Sequence, residues 1–105
     1  MIVVFEKTYL SELYEKGKCT EKRYRFQPQV VKGYQKCVRF LIAASRKEDL
    51  FLINSLHFEA LHGDHEGLFS VRVNDQYRLE FFFDTTEEEP VLTVCRITEL
   101  SNHYK

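Results

Sequence analysis

Histidines, arginines and a polar tail are the parts of this sequence equipped for proton transfer and anion binding. Three of the four histidines, His57, His62 and His65, fall within nine residues, the last two inside Leu61-His62-Gly63-Asp64-His65-Glu66-Gly67. Gly63 and Gly67 permit positive φ at the two ends of a tight loop, and Asp64 can hydrogen-bond the loop's own backbone. The segment therefore reads equally well as a plain turn. Three imidazoles make a zinc site conceivable, but their spacing matches no common ligand pattern and no cysteine lies nearby. No metal and no cofactor is expected.

Two arginines form a second constellation. Arg72 and Arg78 lie on the faces of two successive strands opposite an aromatic stripe, and the turn between them brings the strands side by side. Two guanidiniums on a rigid sheet can clamp a phosphodiester, because each presents a planar fork of donors that stays charged. Pairing with Glu80 or Asp64 as structural salt bridges is the competing reading. The tail, Ser101-Asn102-His103-Tyr104-Lys105, adds groups for proton transfer and phosphate contact: a histidine such as His103 can shuttle protons near neutral pH, and Tyr104 can donate to a phosphate or stack on a base. Fraying is the alternative for so short an end.

The elements that must position these groups follow from periodicity. Residues 2–5 are contiguous β-branched or aromatic residues and read as a short buried strand. A helix follows, with Thr8 or Ser11 as cap, Tyr9, Leu10, Leu13 and Tyr14 on one side, and Gly17 at its end. After a basic connector over 18–26, Pro28 suits the first turn of a second helix. There Val31, Tyr34, Val38, Leu41 and Ile42 form the buried stripe, while Lys32, Lys36 and Arg39 occupy the opposite face. Residues 47–62 fit either an irregular helix or an extended crossing segment. From residue 68 the period changes to two: strands over 68–73 and 77–83, joined by a turn at 74–76, then an acidic loop and a strand over 91–97. The order β-α-α-β-β-β predicts an α+β fold, two N-terminal helices packed on a mostly antiparallel sheet.

At 105 residues, 44% hydrophobic and 14% aromatic, the chain has apolar mass for one core and too little for two, so one domain over 1–105 is expected. No run reaches the length of a membrane span, and the apolar start is cut off by Glu6 and Lys7 without a basic leader. Cys19, Cys37 and Cys95 are odd in number and widely spaced, which suits a reducing compartment. A cytoplasmic location is expected. The net charge of −1 conceals a strong asymmetry. Residues 16–47 carry ten Lys and Arg against Glu21 alone, a local +9, whereas 48–105 carry four basic residues against twelve acidic ones, a local −8. One face suited to a polyanion is one reading of this split, and the solvated sides of two helices are the other.

The series Leu61, Gly63, Asp64, Gly67, Ser70, Val71, Arg72, Val73, Tyr77, Arg78, Leu79, Phe81 closely resembles the signature of HigB-like killer toxins in the RelE/ParE superfamily. The resemblance is specific over 56–83, extends to the tail at 98–105, and is architectural over 1–50. It implies a type II toxin that cleaves mRNA in the ribosomal A site without a metal. The implied partners are a HigA-like helix-turn-helix antitoxin and the 70S ribosome with its mRNA. Carried over by position, it assigns catalytic roles to His57, His62, Arg78, His103 and Tyr104. RNA or phosphate contact falls to Arg72, Lys32, Lys36, Arg39 and Asn102. Three positions depart from the pattern: His62 stands where lysine is usual, Asn102 where aspartate is usual, and the tail reads His-Tyr instead of Tyr-His. His57 also lies two residues farther from the loop than the family spacing. A gyrase poison of the ParE type, or an inert partner-binding domain, are the alternatives on the same fold.

The +9 segment is suited to ribosomal RNA or to an acidic stretch of the antitoxin; if it meets ribosomal RNA, neutralising Lys32, Lys36 and Arg39 together should weaken ribosome binding and flatten its salt dependence, each lost phosphate contact removing about one unit of log–log slope. An unchanged slope in a salt titration of ribosome binding would exclude this role.

Overall fold

A computed structural model of the chain describes residues 1–102. Its sheet has the order β1-β5-β4-β3-β2, with β1 at Ile2–Phe5, β2 at Glu59–Ala60, β3 at Phe69–Arg72, β4 at Tyr77–Thr85 and β5 at Thr93–Asn102. β1 runs parallel to β5 and the other pairings are antiparallel. Helices α1, Thr8–Lys16, and α2, Pro28–Ala43, cover one face. This is the expected α+β architecture, with the short edge strand β2 added between α2 and the meander. β1 is less buried than its composition suggests, since it lies at the sheet edge and leaves Ile2 41% exposed.

Local chemistry sets the helix ends. Glu6 N–H still donates to the Ile97 carbonyl at 2.9 Å, so the sheet holds the chain through residue 6 and α1 starts only two residues later. Thr8 consequently lies inside the first turn instead of capping it, and no side chain caps this end. Gly17 ends the helix as expected, with φ 75° and its N–H on the Leu13 carbonyl. The Gln35 side-chain amide donates to the carbonyls of Leu13 and Tyr14 at 3.1 and 3.2 Å, satisfying the α1 C-terminus from α2.

In α2, Val30, Val31, Tyr34, Cys37, Val38 and Leu41 are buried. Ile42, expected on the same stripe, is 45% exposed. It lies in the final turn of α2, where it shares an open cavity wall with Ile2 and Leu92 instead of facing the core. Gly33 is costly inside a helix, and packing explains it: a Cβ there would lie 3.0 Å from Val73 Cγ1 and 3.2 Å from the Val73 carbonyl oxygen. The glycine lets α2 close onto the end of β3.

The ambiguous stretch consists of two 3-10 segments, Lys47–Leu52 and Asn54–Leu56, that bury Leu50 and Leu56 and lead into β2. Phe58 stacks with Phe69 and Phe81, sealing the core beside α2.

β5 is longer than its apolar alternation suggests because it contains a bulge. Phe81 pairs with Ile97 but Glu80 pairs with Glu99, so one extra residue is accommodated. Tyr9 of α1 reaches this point. Its hydroxyl donates to Glu99 Oε1 at 2.5 Å and accepts the Leu100 N–H at 3.1 Å, while Thr98 Oγ1 donates to the Glu80 carbonyl at 3.2 Å. Tyr24 stacks on Tyr9 with ring centroids 3.7 Å apart, which pins the basic connector to the same place.

Tyr9→Phe should lower stability by about 1–3 kcal/mol by leaving the Leu100 N–H without its acceptor, measured as a shift in urea midpoint. Burial raises the phenols of Tyr9 and Tyr34 above their ordinary value of 10.0. It also pushes the thiol of Cys37 up to about 11 and that of Cys95 up to about 12, from 9.0. All four groups are neutral when folded, so the unfolded chain loses their protons first. Their contribution to stability should be complete below about pH 9 and fall as pH rises through 9–10, where the unfolded groups ionise. Tyr9→Phe should make that alkaline decline shallower, and an unaltered decline would show that Tyr9 is not buried as described.

Candidate functional site

Strand alternation decides which side chains can meet. In β3 and β4, Val71, Leu79 and Phe81 point into the core, leaving Ser70, Arg72, Arg78 and Glu80 on the face away from the helices. The register sets Arg72 opposite Arg78 and Ser70 opposite Glu80. β2 brings Glu59 opposite Ser70. Three strands thus converge on Arg78.

Its guanidinium lies across the sheet toward β2. Nε donates to Ser70 Oγ at 2.8 Å, and Nη2 donates to the His57 carbonyl at 2.7 Å and lies 3.3 Å from Glu59 Oε1. The Arg78 side chain is only 13% exposed, and Ser70 is the buried polar residue beneath it. Arg72 is held differently. It pairs with Asp75, whose side chain is 95% exposed, and an ion pair of that kind contributes little and exchanges readily for another anion. Neither arginine takes Glu80 or Asp64, the acids offered by the sequence. Asp64 lies in the β2–β3 loop, at the end of β3 away from Arg72.

His57 follows the Asn54–Leu56 turn with φ 45° and ψ 51°, a left-handed conformation that a non-glycine residue adopts at a cost. This conformation accompanies the carbonyl contact with Arg78, and the imidazole is exposed. His62 precedes the 3-10 turn Gly63–His65, beyond the Leu61 N–H to Leu68 carbonyl bond that closes the hairpin. It stands three residues past Glu59, about 10 Å of extended chain, and the fold does not bring it against Arg78. Gly63 and Gly67 have φ of 70° and 91°, as the loop chemistry requires.

β5 ends at Asn102, opposite Tyr77, with Ser101 opposite Arg78. The strand therefore delivers the chain to the neighbourhood of the arginine. His103 and Tyr104 lie outside the described residues. Lys32, Lys36 and Arg39 are exposed along α2, and Lys36 lines a cavity of about 140 Å³ together with Arg72 and Ser55. The helix's basic side thus reaches Arg72. On the other side of the 74–76 turn, Arg25, Gln27, Asn74, Gln76 and Tyr77 border an open cleft of about 500 Å³. Among the described residues, no three His, Cys, Asp or Glu side chains converge as a metal-ion cage, and no helix is long and apolar enough to cross a membrane.

Glu59 and Ser70 escaped the sequence reading. Glu59 sits in the ambiguous stretch, where no periodicity marks a strand. Ser70 was legible as a polar residue beside Arg72, but only the pairing of β3 with β4 gives it a partner. The assembled site is an oriented guanidinium with a carboxylate, a strained histidine backbone and a second, loosely held arginine at its border. It can hold an anionic group and stabilise negative charge that develops there.

The chain is similar to known proteins in both sequence and fold. Residues 3–93 match the family model described as RelE-like toxin of type II toxin-antitoxin system HigB. Toxin HigB-1 of Vibrio cholerae serotype O1 (strain ATCC 39315 / El Tor Inaba N16961) is 35% identical over 83 residues, covering 77% of this chain and 82% of that protein. Among solved structures, the YoeB/ParE toxin from Agrobacterium tumefaciens superposes with a TM-score of 0.60 over 99% of this chain and 100% of that one, at 15% identity. The last likeness is one of fold.

The left-handed conformation of His57 separates its backbone from its side chain experimentally. His57→Gly should be more stable than His57→Ala by about 1–2 kcal/mol, since glycine carries no penalty there. Both variants lose the imidazole. Equal loss of activity in the two would assign the role to the imidazole, and equal stability in thermal melts would contradict the strain.

Proposed function

This chain belongs to the HigB family of RelE-like toxins of type II toxin–antitoxin systems, and on that premise we propose that it is a ribosome-dependent endoribonuclease that cuts mRNA in the A site. A type II toxin implies a cognate antitoxin. The finer elements of this reading are a HigA-like helix-turn-helix antitoxin, the 70S ribosome as platform, a cytoplasmic site of action and cleavage without a metal.

The observation that carries the reading is Arg78, fixed by Ser70, the His57 carbonyl and Glu59 on the helix-free face of the sheet beside Arg72. In the proposed reaction the ribose 2′-oxygen attacks the adjacent phosphorus and its proton passes to a base. The bond from phosphorus to the 5′-oxygen breaks, and that oxygen takes a proton from an acid. The products are a 2′,3′-cyclic phosphate and a 5′-hydroxyl. Negative charge grows on the phosphoryl oxygens at the transition state. An oriented guanidinium is matched to that charge with little reorganisation.

The base and acid are drawn from His57, His103 and Tyr104. Glu59, at the rim beside Arg78, is a further proton acceptor in reach of the same region. Asn102 and Arg72 contact phosphate, and Lys32, Lys36 and Arg39 hold ribosomal RNA.

Arg78→Lys keeps the charge but loses the fork that spans Ser70, His57 and Glu59. Single-turnover cleavage of ribosome-bound mRNA should fall on the order of a hundredfold or more, with the cut sites read by 5′-end mapping. Deleting 103–105 or making His103→Gln should produce a comparable loss without a change in thermal stability. Near-normal cleavage by a folded Arg78→Lys protein would overturn the role of Arg78, and cutting of free and ribosome-bound RNA at equal rates would overturn ribosome dependence.

A further inference from the structure

The end of the molecule away from Arg78 carries an apolar groove that the proposed reaction does not use. Ile2, Ile42, Val91 and Leu92 are between 41% and 55% exposed. Two contiguous cavities meet at Ile2. One, of about 380 Å³, is lined by Met1, Ile2, Ile42, Ala44 and Leu92 at the end of α2. The other, of about 620 Å³, runs over Ile2, Val4 and Val94 on the back of the sheet to the acidic loop. Exposed side chains of this size, gathered in one place on a small protein, mark an interaction surface.

Charge identifies the occupant. Asp84, Glu87 and Glu88 wall the groove, and Glu89 continues the loop. Arg96, the basic side chain in the wall, is already taken by Asp84 at 3.2 Å and Glu6 at 3.5 Å. Among the described residues Glu87, Glu88 and Glu89 have no ion-pair partner. A phosphate backbone or an anionic membrane would be repelled here. A second copy using the same patch would set two acidic loops against each other across a two-fold axis. What fits is a protein segment with apolar anchors flanked by Lys or Arg.

We propose that this groove, floored by Ile2, Val4, Ile42 and Leu92 and walled by Glu87 and Glu88, is the docking surface for such a basic-flanked apolar segment of the cognate antitoxin. The assignment rests on membership of a toxin–antitoxin family and not on the nuclease reading. β4 separates the two regions: Arg78 and Asp84 are six residues apart on it, about 20 Å. RNA-facing cations and partner-facing acids are thereby kept on different parts of one nearly neutral chain.

The test uses the full-length toxin and, as probe, the antitoxin encoded by the reading frame adjacent to its gene. Binding is measured by calorimetry at several salt concentrations. The pair Ile42→Ser with Leu92→Ser should raise Kd at least tenfold. Glu87→Lys with Glu88→Lys should raise Kd and remove most of its salt dependence, and ribosome-bound mRNA cleavage should be unchanged in both. Leu52→Ser, at an exposed leucine outside the groove, should leave Kd as it was. Unchanged Kd in both groove variants overturns the proposal. So does a concentration-dependent dimer of the toxin alone, seen by sedimentation, that Ile42→Ser with Leu92→Ser dissolves. Loss of antitoxin binding with intact cleavage supports this surface. Loss of cleavage in Arg78→Lys with intact antitoxin binding bears only on the nuclease site.

Discussion

The hydroxyl of Tyr9 sits at the bulge of β5, and the phase of everything after that point depends on it. Ile97 and Leu100 are both buried against the helices, although an odd separation of three places residues on opposite faces of a regular strand. The bulge inserts the residue that reconciles them. It also leaves the ladder locally disrupted, and Tyr9 restores the balance by accepting from Leu100 and donating to Glu99. Beyond it, Leu100 faces the core, Ser101 lies opposite Arg78 and Asn102 lies opposite Tyr77. A helix residue ninety positions away in sequence therefore sets how the end of β5 lies against β4 beside Arg78. Tyr34 secures α1 in turn, its hydroxyl donating to the Leu10 carbonyl at 2.7 Å.

The two strand arginines show how burial separates residues that look alike in sequence. Arg72 and Arg78 are directly paired on one face. Arg78 is immobilised by three partners and is mostly covered, whereas Arg72 has one solvent-exposed partner and a side chain 36% exposed. A covered guanidinium with directed hydrogen bonds is preorganised for charge stabilisation. A loosely paired one is suited to capturing phosphate. α2 supports the second task by bringing Lys36 to the cavity that Arg72 lines, and its close approach depends on Gly33.

The charge split seen along the chain acquires a spatial meaning in the fold. The exposed cations of α2 lie next to the β3 end, while the run Glu87 to Glu89 lies beyond the other end of β4. Separating them over the length of one strand preserves the local fields that a net charge of −1 would otherwise hide.

Amphipathic periodicity alone determined α2, the faces of β3 and β4 and the opposition of Arg72 to Arg78, because each is a repeat of 3.6 or 2 acting over neighbouring residues. The series of residues from Leu61 to Phe81, the Gly63–Gly67 loop with the two strands after it, carried the family resemblance. Other features were decided between elements distant in sequence. β5 continues past Ile97 because a tyrosine from α1 completes its bulge. Thr8 is not a cap because the sheet holds Glu6. Ile42 is exposed because it belongs to a turn of α2 that the core does not cover. One partner of Arg78, Glu59, comes from a two-residue strand that no sequence period announces, since Glu59 and Ala60 take β conformation only by pairing with β3. Local sequence records which face a side chain prefers, and only packing decides what it finds on that face.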